Sequence, residues 1–212
     1  MTMNRAGCLG RSRTLSASGT VNSSSDYNYL RTTLKDLLLA RSVKRGEFVL
    51  ASGRRSSFYV DARLTTMSGD GLAVIGGLGL DRMAIRGWSP RAVGGLTLGA
   101  DPIAYALALT ARRRGQLLDA FTVRKQPKDH GTGQRIEGCF MSGFPVVIVE
   151  DVLTTGRSAR EAIKTVESEG GHVLGVIAVM DREEGGKEAI EREGYLVEAF
   201  LTASDLGLGL PK

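Results

Sequence analysis

The fold is decided by one stretch of the chain, Val146-Val147-Ile148-Val149-Glu150-Asp151-Val152-Leu153-Thr154-Thr155-Gly156-Arg157-Ser158. Its first four residues are apolar and β-branched with no polar alternation, which is typical of a strand covered on both faces in a parallel sheet. Two acids follow, and we expect them at the carboxyl end of that strand. Next comes a short turn with hydroxyls and a glycine, and apolar residues then recur at helical spacing, at positions 159, 162, 163 and 166. The stretch therefore predicts a strand, an anion-binding turn and a helix whose amino end attracts negative charge.

Carboxylates beside an anion-binding turn would repel an anion unless an uncharged group lies between them. A ribose phosphate meets this condition, because its 2′- and 3′-hydroxyls can donate to Glu150 and Asp151 while its 5′-phosphate accepts from residues 154–158. The stretch is not a P-loop, and it lacks the Gly-x-Gly-x-x-Gly of dinucleotide folds. We interpret it as a sugar-phosphate site; the alternative is a strand, turn and helix that carry acids by chance.

Length and composition favour one catalytic domain. With 212 residues, 42% of them hydrophobic, the chain can bury one sizeable core. Residues 1–26 are rich in Ser, Thr, Gly and Arg and lack apolar periodicity, so we predict a disordered tail there and a single domain over residues 27–212. A transit peptide or a wrongly assigned start are alternatives for the tail. No apolar run reaches membrane-spanning length.

Charge and cysteine content bear on partners and compartment. Two cysteines, Cys8 and Cys139, argue against a disulfide framework and favour a reducing, cytoplasmic compartment. The net charge of +5 favours anionic partners. Aromatic residues make up only 6% of the chain, which argues against a stacking surface for nucleic acid. We therefore expect small polyanionic substrates, with no nucleic-acid or membrane partner.

Apolar periodicity and turn residues place the other elements. Helices are predicted around four leucines at positions 30–38, over residues 71–83, and from Pro102 onward, where Asp101 can cap the helix. Strands are predicted at residues 47–50, 58–61, from 92 into a glycine loop, and at 121–123, 173–180 and 196–201. This alternation predicts an α/β fold, a parallel sheet flanked by helices with a small N-terminal helix and strand hood. Ligands should bind beyond the carboxyl ends of the strands.

A second candidate site follows the strand at residues 121–123. It reads Arg124-Lys125-Gln126-Pro127-Lys128-Asp129-His130-Gly131 and continues to residue 138 with two more glycines and a further arginine. Few apolar residues anchor it, so we expect a mobile loop whose cations neutralise a departing pyrophosphate. The alternative is an ordinary solvated basic loop.

These segments resemble a known family. Residues 147–158 resemble the phosphoribosyl-pyrophosphate (PRPP) motif of type I phosphoribosyltransferases. The basic loop, together with Gly46-Glu47-Phe48, Ser52-Gly53-Arg54 and Phe58-Tyr59-Val60-Asp61, resembles the orotate phosphoribosyltransferases rather than their purine relatives. The likeness covers residue 28 to the C-terminus.

The resemblance implies roles for particular residues. PRPP contacts are implied for Arg124, Lys125, Lys128, His130, Glu150, Asp151, Val152, Leu153, Thr154, Thr155, Gly156, Arg157 and Ser158. Orotate contacts are implied for Tyr59, Val60, Thr154 and Arg182. The implied catalytic residues are Lys128, His130 and Asp151.

The implied activity is Mg²⁺-dependent transfer of the phosphoribosyl group from PRPP to orotate, giving orotidine 5′-monophosphate and pyrophosphate in pyrimidine synthesis. The resemblance also implies a homodimer in which the loop closes over the partner's site. Mg²⁺ would be held mainly by PRPP and water rather than by protein ligands.

Arg182 has a physical argument of its own. It follows the strand predicted at residues 173–180, so it should project from the same sheet edge as Glu150 and Asp151, where a guanidinium can bind a substrate carboxylate through two hydrogen bonds. The alternative is a surface arginine, which is common at a strand end.

The sequence departs from some family members at three positions. Lysines of those enzymes are replaced by Ala51 and Gly99, and Glu150 stands where aspartate is more frequent. Pyrophosphate contacts must then come from backbone N–H groups or from the loop. Two other functions stay open, transfer to another nucleobase and PRPP sensing without catalysis. Arg182 and residues 58–61 argue against the first, and a sensor has no need of Lys128 and His130.

Overall fold

The computed structural model of the chain describes residues 23–49, 55–126 and 135–209. Its helices and strands, in chain order, are α1 (Ser23–Leu37), β1 (Val43–Val49), β2 (Arg55–Val60), α2 (Arg63–Thr66), α3 (Gly69–Arg86), β3 (Ala92–Leu96), α4 (Asp101–Arg113), β4 (Asp119–Val123), β5 (Ile136–Gly138), β6 (Pro145–Leu153), α5 (Arg157–Ser168), β7 (His172–Asp181), α6 (Gly186–Glu191) and β8 (Val197–Thr202). A π-helical turn, Leu38–Ser42, extends α1. None of the described helices is both long and apolar enough to cross a bilayer. Most of the predicted tail lies outside the described residues, and α1 begins at Ser23, ahead of the domain start expected at residue 27.

Six strands form the main sheet in the order β5-β4-β3-β6-β7-β8. Strands β4, β3, β6, β7 and β8 are parallel to their neighbours in this order, which confirms the predicted parallel sheet. The edge strand β5 runs antiparallel to β4. The sequence does not predict β5, because three residues within a polar segment are too few to show a periodicity.

Strand β6 lies inside the sheet, between β3 and β7, and confirms the prediction of a strand covered on both faces. Residues 146–149 are fully buried. Val147 and Val149 pack into one core cluster with residues of α1, α3 and α4, whereas Val146 and Ile148 pack into a second cluster with residues of α5. Helices therefore cover both faces of the sheet.

The N-terminal hood consists of α1 and the hairpin β1–β2. The two strands pair antiparallel, and Phe58 and Val60 of β2 are buried in the same cluster as Leu34 of α1. Strand β1 begins at Val43, earlier than the predicted residue 47. Its side chains are largely exposed, so the early part carries no apolar pattern that the sequence could reveal. The hood places the end of β2 beside the main sheet.

Glycines allow α3 and α4 to lie close together. A Cβ atom on Gly76 would lie 2.2 Å from Oγ1 of Thr110, and one on Gly79 would lie 2.3 Å from Cδ2 of Leu107. The helix predicted at residues 71–83 is confirmed in spite of the low helix propensity of glycine. Packing against α4 therefore outweighs propensity here.

The start of α4 differs from the prediction that Asp101 caps it. Ala100 holds the N-cap position, with no side-chain cap. The Asp101 carboxylate instead accepts hydrogen bonds from the hydroxyls of Thr97, at 2.7 Å, and Thr122, at 2.8 Å. The carboxylate accepts from these two hydroxyls rather than from the N–H groups at the start of the helix. The two hydrogen bonds connect the loop after β3 to β4.

Close contacts at Gly94 in β3 lead to a stability prediction. A Cβ atom there would lie 2.2 Å from the carbonyl oxygen of Phe121, and that backbone is held in the β3–β4 ladder. We expect Gly94→Ala to lower the free energy of unfolding by about 1–3 kcal/mol, measured by urea denaturation. The control is Gly69→Ala, because no atom lies within 4 Å of its Cβ position. Equal stability of the two variants would contradict the close packing of β3 against β4.

Candidate active site

The loops at the carboxyl ends of the central strands enclose a cavity of about 590 Å³. It is lined by residues 59–63, residues 96–99, Lys125, residues 150–152, Thr154, Ser158 and Arg182. A notch of about 40 Å³ shares part of this lining and adds Leu153, Thr155, Gly156 and Arg157. The structure therefore brings together the predicted sugar-phosphate stretch, one cation of the basic loop, Tyr59, Val60 and Arg182.

Glu150 and Asp151 are neighbours within strand β6. They lie toward its carboxyl end, as predicted, although β6 continues beyond residues 146–149 and pairs with β7 as far as Leu153. Glu150 is only 7% exposed, and its Oε2 has no hydrogen-bond partner among the described residues. Asp151 is half-buried, and its Oδ1 accepts from the backbone N–H of Val152 at 2.8 Å. A buried oxygen thus lies at the cavity without a hydrogen-bond partner from the described part of the chain.

Burial changes the charge of this acid pair. The pKa of Glu150 is raised to about 9, mainly by burial and to a smaller extent by the charge of Asp151. At neutral pH Glu150 is therefore protonated, and the pair carries less negative charge than two ionised acids would. A protonated carboxyl can both donate and accept a hydrogen bond, which suits the hydroxyls of a sugar.

The turn after β6 enters α5 through Gly156. Its φ of +76° lies in the left-handed region, which favours glycine, and a Cβ atom there would lie 2.9 Å from the carbonyl oxygen of Gly186. No side chain caps α5, so the N–H groups of its first turn are left for an anion. The hydroxyls of Thr154 and Ser158 line the adjoining cavity. This is the geometry that the sequence predicts for a phosphate.

Arg182 lies at the same sheet edge as the two acids, as its position after β7 predicts. Its backbone N–H donates to the carbonyl oxygen of Leu153 at 2.9 Å, and its guanidinium carbon lies 5.0 Å from the centre of the Phe58 ring. Its Nη2 lies 3.0 Å from Oε1 of Glu184. Glu184 carries no motif in the sequence, and its one signal is its place two residues after Arg182.

The cations of the basic loop have different surroundings in the structure. Lys125 lines the cavity, whereas the Arg124 guanidinium pairs with Glu137 at 2.9 Å and is not among the residues that line the cavity. Lys128 and His130 lie outside the described residues, so their implied roles stay predictions. At the base of the loop, Arg135 donates to the carbonyl oxygen of Arg124 at 2.9 Å. This arginine therefore helps to hold the loop's start.

Two further features of the site were missed by sequence reasoning. Arg63 lines the cavity, and its hydrogen bond to Asp61 holds the pKa of that carboxyl below its usual value. Gly99 faces Asp151, and a Cβ atom on Gly99 would lie 2.6 Å from Oδ1 of Asp151. A lysine at position 99, as in some family members, would require Asp151 to move. Gly99 and Asp151 lie far apart in sequence, so no local pattern reveals their contact, whereas the one signal for Arg63 is its place two residues after Asp61.

Known proteins are similar to this chain over most of its length, although no protein-family model matches it. It is 45% identical over 179 residues to the orotate phosphoribosyltransferase of Mycobacterium leprae, an alignment that covers 84% of this chain and 97% of that protein. It is 42% identical over 179 residues to the orotate phosphoribosyltransferase of Aquifex aeolicus, with 83% and 97% covered. The chain belongs to the orotate phosphoribosyltransferase family.

Solved structures of this family have the same fold. The Mycobacterium tuberculosis H37Rv orotate phosphoribosyltransferase in complex with PRPP gives a TM-score of 0.73 at 42% identity, over 84% of this chain and 99% of that one. The same protein in complex with Fe(III) dicitrate gives a TM-score of 0.76 at 44% identity, with the same shares covered. The predicted type I phosphoribosyltransferase fold is confirmed, and the chain is a transferase.

The buried acid Glu150 makes the stability of this protein depend on pH. The folded protein keeps a proton on Glu150 up to about pH 9, whereas the group's ordinary pKa is 4.5. Stability is therefore lost as the pH rises from the lower value through the higher one. We expect Glu150→Gln to unfold about 2–4 °C higher than the natural protein at pH 8–9, a gain of at least about 1 kcal/mol, with little difference near pH 4.5.

The matched control is Glu169→Gln, which removes an exposed glutamate and should leave the pH profile unchanged. Melting temperatures recorded across this pH range test the expectation. A Glu150→Gln profile parallel to that of the natural protein would contradict a protonated Glu150.

Proposed function

We propose that the chain transfers the phosphoribosyl group of PRPP to orotate, forming orotidine 5′-monophosphate and pyrophosphate for pyrimidine synthesis. The observation that carries this proposal is one cavity that joins an acid pair and an anion-binding turn to the buried guanidinium of Arg182. The first two fit a ribose 5′-phosphate, and the third fits the carboxylate of orotate. The names of the relatives support the same reaction.

The proposed substrate position follows from the donors and acceptors of the cavity. The ribose hydroxyls meet Glu150 and Asp151, and the 5′-phosphate accepts from the start of α5. The base then lies toward Arg182 and Thr154, beside Tyr59 and Val60 at the end of β2. Oε2 of Glu150, which has no hydrogen-bond partner within residues 23–49, 55–126 and 135–209, forms a hydrogen bond with a sugar hydroxyl.

In the proposed reaction a pyrimidine nitrogen forms a bond to C1′ of the ribose as the bond from C1′ to the pyrophosphate oxygen breaks, and the proton of that nitrogen leaves with the pyrophosphate. Positive charge develops on the sugar, and Asp151 stabilises it electrostatically. Lys125 and the implied catalytic residues Lys128 and His130 neutralise the leaving pyrophosphate. No covalent protein nucleophile is required, and exclusion of water protects the activated sugar from hydrolysis.

Mg²⁺ is the proposed cofactor. The carboxylate oxygens of Asp151 are the hard ligands that this ion prefers, but no group of three or more His, Cys, Asp or Glu side chains in the described part of the chain could hold a metal. Binding mainly through PRPP oxygens and water fits both facts. When bound, the ion supplies positive charge that offsets the charge of the pyrophosphate.

The function is tested by following the loss of orotate absorbance with PRPP and Mg²⁺. We expect turnover, and we expect it to stop when the metal is chelated. Asp151→Asn should abolish turnover. The control is Asp36→Asn, which replaces an exposed aspartate on α1 and should leave turnover unchanged. Turnover with a purine base but not with orotate would overturn the proposal in favour of another nucleobase. PRPP binding without any turnover would favour the sensor.

We infer a homodimer with shared sites, and an exposed apolar face supports it. Leu98 is 61% exposed, and Tyr105 and Leu109, one helical turn apart on α4, are each 56% exposed. Leu98 also lines the cavity. A second copy that covers this face would stand next to the cavity and could offer its own loop to it.

Subunit mixing tests the shared site. Lys128→Ala and Asp151→Asn proteins should each be inactive, and after mixing and exchange they should recover about a quarter of the natural activity, because half of the dimers then hold one intact site. Lys128→Ala mixed with itself is the control. No recovery in a mixture that size-exclusion chromatography shows to have exchanged would place Lys128 and Asp151 of one site on the same subunit.

A further inference from the structure

Arg182 and Glu184 form a buried ion pair at the wall of the cavity. Their side chains are 8% and 4% exposed, and Nη2 of Arg182 lies 3.0 Å from Oε1 of Glu184. Phe58 covers the guanidinium from the hood, with 5.0 Å between the guanidinium carbon and the ring centre. The arginine is therefore held between an aromatic face and a carboxylate before any substrate arrives.

The pair is in ionic contact but is not aligned as a hydrogen bond. Nε and Nη2 of Arg182 are buried and have no hydrogen-bond partner among the described residues. Buried donors without acceptors are costly. Nε and Nη2 form the side of a guanidinium that a carboxylate can bind with two parallel hydrogen bonds. These unmet donors at the cavity wall point to a carboxylate ligand.

We propose that Glu184 is the resting counter-ion of Arg182 and that its charge limits the affinity of the site for the carboxylate of the substrate. The inference rests on the proposed function, since it takes the ligand to be the orotate group or its nucleotide product. Glu184 thereby becomes a determinant of substrate affinity that acts through Arg182.

The free and the bound site differ in the charge around Arg182. In the free protein, Glu184 compensates the charge of Arg182. A substrate carboxylate brings a second negative charge to the same guanidinium, in surroundings where screening by water is weak. If Glu184 lost its charge, Arg182 would lose this compensation in the free protein, which is unfavourable. A bound carboxylate would then restore it, so binding would become tighter.

The test compares two nucleotides that differ only in the carboxylate. Dissociation constants of orotidine 5′-monophosphate and uridine 5′-monophosphate are measured by calorimetry for the natural protein and for Glu184→Gln. We expect the variant to bind orotidine 5′-monophosphate about fivefold or more tightly than the natural protein does, with unchanged affinity for uridine 5′-monophosphate. Its melting temperature without ligand should fall.

Glu183→Gln is the matched control, because it removes the same charge one residue away, where Glu183 is exposed and bonds Ser204 instead. It should change neither dissociation constant. If Glu184→Gln does not fold, Glu184→Asp provides the same comparison. Its shorter side chain withdraws the charge from Arg182, so the gain should be smaller and in the same direction.

Weaker binding of orotidine 5′-monophosphate by the Glu184 variants, or an equal change for both nucleotides, would overturn the inference. The first result would mean that Glu184 mainly positions Arg182, and the second that the cavity has changed shape. A natural protein that does not prefer the carboxylated nucleotide would instead overturn orotate recognition by Arg182, which belongs to the proposed function. The two failures are thus distinguishable.

Discussion

Strand β6 contributes apolar side chains to two separate cores at once, and the arrangement of the candidate active site depends on this constraint. Because Val147 and Val149 face one core and Val146 and Ile148 face the other, the strand has to lie between β3 and β7. A one-residue slip would exchange the two faces and move Glu150 to the wrong side of the sheet. The packing of the core therefore fixes where the acid pair stands.

The same packing produces the electrostatics of the cavity. Glu150 belongs to the buried part of β6, and this raises its pKa to about 9. Arg182 lies at the end of the neighbouring strand β7, and a buried guanidinium, which is always charged, requires a carboxylate nearby. Glu150 thus becomes neutral, and Arg182 has Glu184 as its partner. The site can then accept an anionic substrate without a large excess of either charge.

Much of this arrangement could be predicted from local patterns. Continuous apolar runs predicted the parallel strands, and the order of acids, hydroxyls and glycine predicted the anion-binding turn before α5. The antiparallel strand β5 and the early start of β1 could not be predicted, because neither carries an apolar periodicity. The cap of α4 was assigned wrongly because the hydroxyls of Thr97 and Thr122, one of them on another strand, bind Asp101.

By itself, the sequence determined the fold class, the family and the stretch that we propose as the sugar-phosphate site, because each of these depends on residues that are neighbours along the chain. Only the tertiary structure decided the protonation of Glu150, the contact of Gly99 with Asp151, the division of the basic loop between Arg124 and Lys125, and the Arg182–Glu184 pair. Burial and distances between side chains set these properties. Burial arises only when distant segments fold against one another, and it also decides which neighbouring side chains face the cavity.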